Sequence, residues 1–375
     1  MNAFCASVNF DARILLSPPS QVPGYRKLQA ETIQFVGGRA LAYNALRSNF
    51  ELAQGGVPIA LPASNVTVDE IRSEVFTNLS FRASPKLTLE SGLALEASRI
   101  KVAGDADNQQ TILILKPSAT ARYAFREGLS GRLSLERRAG QLDFGDFAAS
   151  AELADERQFG GNPDLQPDKT WRAATSLDWR KSSGHALNIT IFHEWREDIL
   201  EQIILPSGAA GLGNAGKAEV SGIESSFTLP LPALIPGARL EGTVNIADSR
   251  FRDPVTGQTR QVNALERPDI DISFRQDLPT MKLSWGVDYA SPTLTERFFV
   301  AEILADRRGE IWNAFVETTH IFGFTTRLKL SNLGTRDFPQ ERRLFSPDRS
   351  GLLTGIERVD RTRGSFVTLT ISDTF

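Results

Sequence analysis

Hydrophobic side chains recur at every second position along most of this chain, and a period of two builds a strand, not a helix. In "KLTLESGLALEA" (86–97), Leu87, Leu89, Leu93 and Leu95 share one face, opposite Lys86, Thr88, Glu90 and Glu96. In "ALNITIFHEW" (186–195), Leu187, Ile189, Ile191, His193 and Trp195 oppose Asn188, Thr190 and Glu194. Residues 269–278 set Ile270, Ile272 and Phe274 against Asp271, Ser273 and Arg275, and 280–289 set Met281, Leu283, Trp285, Val287 and Tyr289 against Lys282, Ser284 and Asp288. Residues 322–330 do the same, with Phe322, Phe324, Leu328 and Leu330 opposing Arg327 and Lys329. These runs reach about ten residues, whereas strands in soluble proteins average about five or six.

The connections between the runs constrain the fold further. Short turns are expected at 83–86, 126–130, 181–184, 277–280 and around Gly323, with a slightly longer proline-rich one at 230–237. Between them lie longer polar or glycine-rich segments, at about 103–111, 143–169, 200–218, 251–265, 292–307 and 336–362. Short and long alternate, so antiparallel strands would collect the turns at one end and the loops at the other. That is the layout of a transmembrane β-barrel. A β-sandwich or propeller is the rival reading. Against it stand strands long enough to cross a tilted hydrocarbon core, about 9–11 residues each. The polar face is also rich in Arg, Lys, Asp and Glu, and no blade-like repeat of about 40–50 residues is visible.

Composition by itself would suggest an ordinary soluble protein. Charged residues make up 23% and the net charge is −3, which argues against a nucleic-acid partner. The single Cys5 excludes an internal disulfide framework and a cysteine-based zinc site. No run approaches the roughly 18 apolar residues of a membrane-spanning helix. The opening "MNAFCASVNFDARILLSPPS" has no basic n-region and no continuous apolar core, so it does not read as a secretory signal. The sequence alone then leaves a cytoplasmic protein or a missing true start.

Catalytic signatures fail on inspection. "HEWRE" (193–197) has no second histidine at zinc-protease spacing and alternates as a strand. "LDFGDF" (142–147) holds the kinase Asp-Phe-Gly triplet without its lysine strand or catalytic loop. "GAAGLGNAG" (208–216) lacks the lysine and following helix of a phosphate loop and reads as a flexible loop. His185, His193 and His320 fall on different strands. Catalytic residues, cofactor sites and metal sites are therefore expected to be absent, and the chain is expected not to be an enzyme. Asp105 and Asp107 could meet a calcium ion but read better as a solvated acidic turn. Arg342, Arg343, Arg349, Arg358, Arg361 and Arg363 could meet an anion. Interspersed acids make a mixed solvated surface the preferred reading.

Several stretches resemble the C-terminal part of the TonB-dependent outer-membrane receptors. "GNPDLQPDKTW" (161–171) is similar to that family's Asn-Pro-x-Leu-x-Pro-Glu segment through Asn162, Pro163, Leu165 and Pro167, with Asp168 where Glu is commoner. "GNAGKAEVSGIESSFTLPL" (213–231) resembles its Asn-x-Gly and Gly-x-Glu segment through Asn214, Gly216, Gly222 and Glu224. "LKLSNLGTRDF" (328–338) resembles the Asn-Leu signature of the penultimate strand, at Asn332 and Leu333. The last strand, "GSFVTLTISDTF", aligns Val367, Leu369, Ile371 and the terminal Phe375 on one face. In the family such an aromatic-ended strand is read by the barrel-assembly machinery.

The resemblance covers about residue 70 to the end, and implies two segments: 1–69, uncertain and with possible partial barrel strands, and 70–375, the receptor-like barrel. It implies an all-β, antiparallel transmembrane barrel with about 13–16 strands present of an expected 22. It implies an outer-membrane location, contact with outer-membrane lipid and lipopolysaccharide, and uptake of a scarce siderophore, cobalamin, metal complex or oligosaccharide. Family members are energised by the TonB-ExbB-ExbD system through an N-terminal plug and TonB box. Neither is visible in this sequence, so a truncated chain or mis-called start is expected. A plug-less porin-like channel and, behind it, a soluble all-β binding module are the alternatives.

Overall fold

The computed structural model describes residues 4–14, 33–54, 57–266, 268–321, 324–334 and 337–372. Its principal feature is an antiparallel sheet of sixteen strands, fifteen of them in one unbroken path. Labelled in chain order, these are β1 (Phe4–Ile14), β2 (Ile33–Asn49), β3 (Asn65–Ser84), β4 (Leu87–Gly104) and β5 (Asn108–Arg126). There follow β6 (Leu129–Ala139), β7 (Lys169–Arg180), β8 (Ala186–Glu197), β9 (Ala218–Pro230) and β10 (Ala238–Arg252). The path ends with β11 (Asp269–Leu278), β12 (Leu283–Ala290), β13 (Ile311–Ile321), β14 (Phe324–Leu333) and β15 (Phe366–Ser372). Each strand pairs with its neighbour in sequence. This is an antiparallel transmembrane β-barrel wall, as the alternation implied. Among the described residues β1 pairs with β2 and β15 with β14. Two strands precede residue 57 and thirteen follow it, and the sheet continues across residue 70, inside β3.

Tight turns at one end are made possible by particular backbones. Gly128 has φ +71, and a Cβ there would lie 2.1 Å from the Arg180 carbonyl oxygen. Gly237, at φ +74, would place a Cβ 2.0 Å from the Asp277 oxygen. Only glycine satisfies both the left-handed backbone and the close approach.

The two faces differ as the period of two demands. Leu113, Leu133 and Leu369 are 68%, 61% and 61% exposed on the outward face, joined by Ile71, Val75, Leu95, Ile191, Ile223, Ile246 and Leu328. Such a continuous apolar belt far exceeds the patches that soluble surfaces tolerate, and lipid is the medium that suits it. Aromatic side chains bracket the belt: Tyr43, with the cross-strand partners Trp171 and Trp195, toward the loops, and Phe35, Tyr123, Phe125 and Trp179 toward the turns. Trp171 and Trp179 are eight residues apart on β7, about 26 Å of strand, which at a tilt of about 40° spans about 20 Å of the roughly 25 Å apolar band of an outer-membrane barrel. Val367, Leu369 and Ile371 of β15 belong to this belt. Phe375 and Gly323 lie outside the described residues.

One expectation fails at the loop end. The long loop foreseen at 103–111 is a three-residue turn, because β4 and β5 run to 18 and 19 residues and, with the 20-residue β3, climb beyond the belt. Polar outward residues such as Arg99 and Lys101 had made this upper portion look like loop. Asp105 caps the neighbouring strand instead, accepting from the Asn65 amide at 2.8 Å and from its Nδ2 at 3.2 Å.

Candidate ligand site in the lumen and loop cap

The inward face is polar and laddered with charge. Lys116 of β5 sits between Glu74 of β3 and Glu96 of β4, with Glu96 Oε2 at 2.8 Å. One level up, Glu70 accepts from Ser98 Oγ at 2.6 Å and from Asn44 Nδ2 at 2.9 Å. Across the wall, Arg172 donates to Glu194 at 2.8 Å and to both oxygens of Glu224 at 2.9 Å. Arg196 also clamps Glu194. Each of these charges meets its partner within two strands, so the cross-strand register itself builds the ladder.

Above the lumen the segments joining the strands are structured. The 140–168 segment turns inward: Leu142, Phe144, Phe147, Ala148 and Leu165 pack on Val66, Val68, Ile100 and Val102 of β3 and β4. "LDFGDF" therefore forms a 3-10 turn (Phe144–Phe147), with Asp143 accepting from the Gly145 amide at 2.9 Å. Burial, aided by the neighbouring Asp143 charge, pushes the Asp146 carboxyl up to about 6. Burial likewise raises Asp168. "GAAGLGNAG", foreseen as a flexible loop, instead contributes a hairpin strand (Ala210–Asn214) paired with Leu200–Ile204. Its alternating glycines leave room for Leu205 and Ile203. Further hairpins from 293–308 and 340–359 pair into a four-stranded sheet.

Buried carboxylates clamped by arginines from different loops tie this cap together. Glu302, 5% exposed, receives Arg157 at 2.7 and 3.1 Å and Arg342 at 3.0 and 3.1 Å. Desolvation alone would raise its carboxyl, but the two guanidiniums hold it below the usual range. Asp253, 1% exposed, receives Arg349 Nη1 at 2.5 Å, Arg260, and the Val255 and Thr256 amides. Burial opposes these bonds and is outweighed, so its carboxyl lies at about 2. Arg260 reaches Glu201 at 2.9 Å and stacks 4.2 Å from the Phe298 ring. Four of the six arginines read as a solvated surface, Arg342, Arg343, Arg349 and Arg358, are thus engaged in ion pairs within the cap. Loop sequence carries no period, so their partners were not legible.

The motif residues occupy junctions. Asn162 donates to the Leu212 carbonyl at 2.9 Å and accepts from the Asp164 amide at 3.0 Å. The Pro163 carbonyl accepts from Asn108, Leu165 is fully buried, and Pro167 is buried beside it. Asn214 donates to the Gln166 and Asp198 carbonyls at 2.7 and 2.8 Å and accepts from the Gln166 amide at 2.9 Å. A Cβ on Gly222 would meet the Phe192 ring at 2.7 Å, and Glu224 holds Arg172. Asn332, at φ +59, donates to the Arg363 and Gly364 carbonyls, anchoring the last long segment, with Leu333 next to it paired with Trp312. His193 packs 4.4 Å from Trp195 and bonds Ser221. Among the described residues no group of three or more His, Cys, Asp or Glu could hold a metal ion. No helix among them is long and apolar enough to cross a membrane.

Comparison with known proteins agrees with this architecture. Residues 14–334 match the family model described as TonB dependent receptor-like, beta-barrel. Among solved structures, the ferric yersiniabactin uptake receptor FyuA from Yersinia pestis is 12% identical with a TM-score of 0.58, covering 98% of this chain and 53% of that one. The FrpB iron transporter from Neisseria meningitidis is 14% identical at 0.57, covering 98% and 54%. The ferripyoverdine receptor of the outer membrane of Pseudomonas aeruginosa is 12% identical at 0.59, covering 90% and 45%. The chain thus spans about half the length of these receptors, and at such identity the likeness concerns the fold. No curated protein matches by sequence.

Proposed function

Because the chain belongs to the TonB-dependent receptor-like β-barrel family, we propose that it forms barrel wall and outer loops of an outer-membrane uptake receptor. The supporting observation is the cap itself. Five inter-strand segments are cross-braced by buried Arg–carboxylate clamps above a charge-lined lumen, which presents a rigid, polar surface to a ligand arriving from outside. Rigid sites lose less entropy when a ligand docks. The cargo is a ferric siderophore or related iron complex, in line with the iron transporters that share the fold; cobalamin, another metal complex or an oligosaccharide are the other candidates. Transport in the full-length form draws on the TonB-ExbB-ExbD system. Outer-membrane lipid and lipopolysaccharide surround the apolar belt, and the barrel-assembly machinery reads Val367, Leu369, Ile371 and Phe375. The motif residues, from Asn162 to Leu333, position loops and touch no cargo.

The test is direct. The chain, targeted to an outer membrane, should resist carbonate extraction and bind a ferric siderophore from a panel in a way that Glu302→Ala weakens. A carbonate-soluble protein would end the barrel reading. A membrane-held protein with large steady conductance and no siderophore binding would replace the receptor with a porin-like channel. Deleting Phe375 should lower the assembled fraction, and unchanged assembly would remove its signal role.

A further inference from the structure

The inward face is not uniformly neutralised. At the turn end, Arg122 of β5 lies directly opposite Arg132 of β6 in the antiparallel register. Both stand on the face that carries Lys116, away from the lipid-facing Tyr123 and Leu133. Like charges in that position repel. Arg126, Arg180 and Lys86 join them around a pocket of about 620 Å³. Elsewhere on this face Lys116 and Arg172 each meet carboxylates. Here, among the described residues, no ion pair engages Arg122, Arg126, Arg132 or Arg180, and Arg132 Nε is buried without a hydrogen-bond partner. The pocket's two acids offset only part of this charge: Asp178, which accepts from Asn188 Nδ2 at 2.7 Å, and Glu127, at the exposed turn, face five cations.

We propose that this arginine cluster at the turn end of the lumen is a binding site for an anionic group, a carboxylate or phosphate. Guanidinium groups from two adjacent strands present forked donors suited to bidentate recognition of either oxyanion. A bound anion would satisfy Arg132 Nε and remove the Arg122–Arg132 repulsion together. The anion comes either from a dissolved small molecule or from acidic side chains of a polypeptide entering the lumen at this end. The inference needs only the inward face of the sheet, so it stands apart from the receptor reading.

The experiment titrates inorganic phosphate, citrate and a tetraglutamate peptide calorimetrically into the full chain in lipid nanodiscs at low salt. The wild type should bind, and Arg122→Gln/Arg132→Gln should bind at least tenfold more weakly. Arg47→Gln, exposed on the outward face of β2, should bind as the wild type does. Phosphate or citrate binding identifies a dissolved anion as the source, and binding of the peptide alone identifies acidic side chains. Arg122→Lys/Arg132→Lys keeps the charge and should retain part of the affinity, which guards against misfolding as the cause of a loss. Phosphate should also raise the melting midpoint of the wild type and not that of the glutamine variant. Failure of all three probes to bind the wild type, or equal binding to the glutamine variant, overturns the proposal.

Discussion

Arg349 Nη1 donates to Asp253 Oδ2 at 2.5 Å, joining two residues 96 positions apart in the chain. Asp253 is 1% exposed and Arg349 8%, so this contact pins the last long segment onto the segment after β10. Removing Arg349 leaves the buried Asp253 carboxylate to Arg260 and two backbone amides, and the lost charged hydrogen bond should cost about 1.5–3 kcal/mol. Arg349→Met should therefore free the 340–359 hairpin while leaving the belt intact. Limited proteolysis should cut within that hairpin first. Cleavage unchanged from wild type would show the clamp to be energetically idle.

The same carboxylate sets an acid limit for the cap. Its folded value of about 2 lies below the ordinary 3.8, so its stabilisation is complete above about 4. It is lost as pH falls through the interval toward 2. Loop protection measured by hydrogen exchange should collapse in that window, and Asp253→Asn should remove the transition.

Asp146 behaves in the opposite sense. Its carboxyl is raised from 3.8 to about 6 by burial, so between those values the folded segment binds more protons than the unfolded one. Stability of the 143–162 turn should rise as pH falls from 7 through 6 toward 4, and fall again on return. The reporters are the Asn162 amide, which donates to the Asp146 carbonyl, and the Gly161 amide. After correction for intrinsic exchange, their protection should grow about tenfold between pH 7 and 5, given that one unit of pKa shift is worth a factor of ten. Asp146→Asn should make it flat.

Asn214 makes three hydrogen bonds to backbone groups, two at Gln166 of the 140–168 segment and one at Asp198 at the start of its own segment. Asn214→Ala leaves those groups without their partner and should cost about 1–3 kcal/mol. Asn214→Asp, which retains only the acceptor, should fall between. Thermal unfolding of the cap, followed by a fluorophore on the Leu200–Ile204 strand, measures it. No change in midpoint would assign the loop contacts to solvent.

Arg39 stands midway between Phe35 and Tyr43 on the apolar face of β2, exposed and paired in register with Val75. An arginine at the centre of a barrel's lipid belt costs about 2–4 kcal/mol. Arg39→Leu should stabilise the protein in bilayers by about that amount, measured by urea unfolding in liposomes. The same substitution should be near neutral in short-chain detergent, where the head group can reach water. Equal effects in both media would place Arg39 outside the hydrocarbon.

Much of the wall was written in the order of residues. Each strand from β3 to β15 must send alternate side chains to lipid and to water, so Leu89, Leu93 and Leu95 against Glu90 and Glu96 leave one register and one orientation. The turn positions followed from glycine and proline, and the resemblance rested on short runs such as Asn162–Leu165. Tertiary structure decided the rest, because ion pairing between loops depends on distance in space and has no period along the chain. Only the fold brings Arg157, Glu302 and Arg342 together, sets Asp253 beneath Arg349, and leaves Arg122 facing Arg132 across one rung of the sheet.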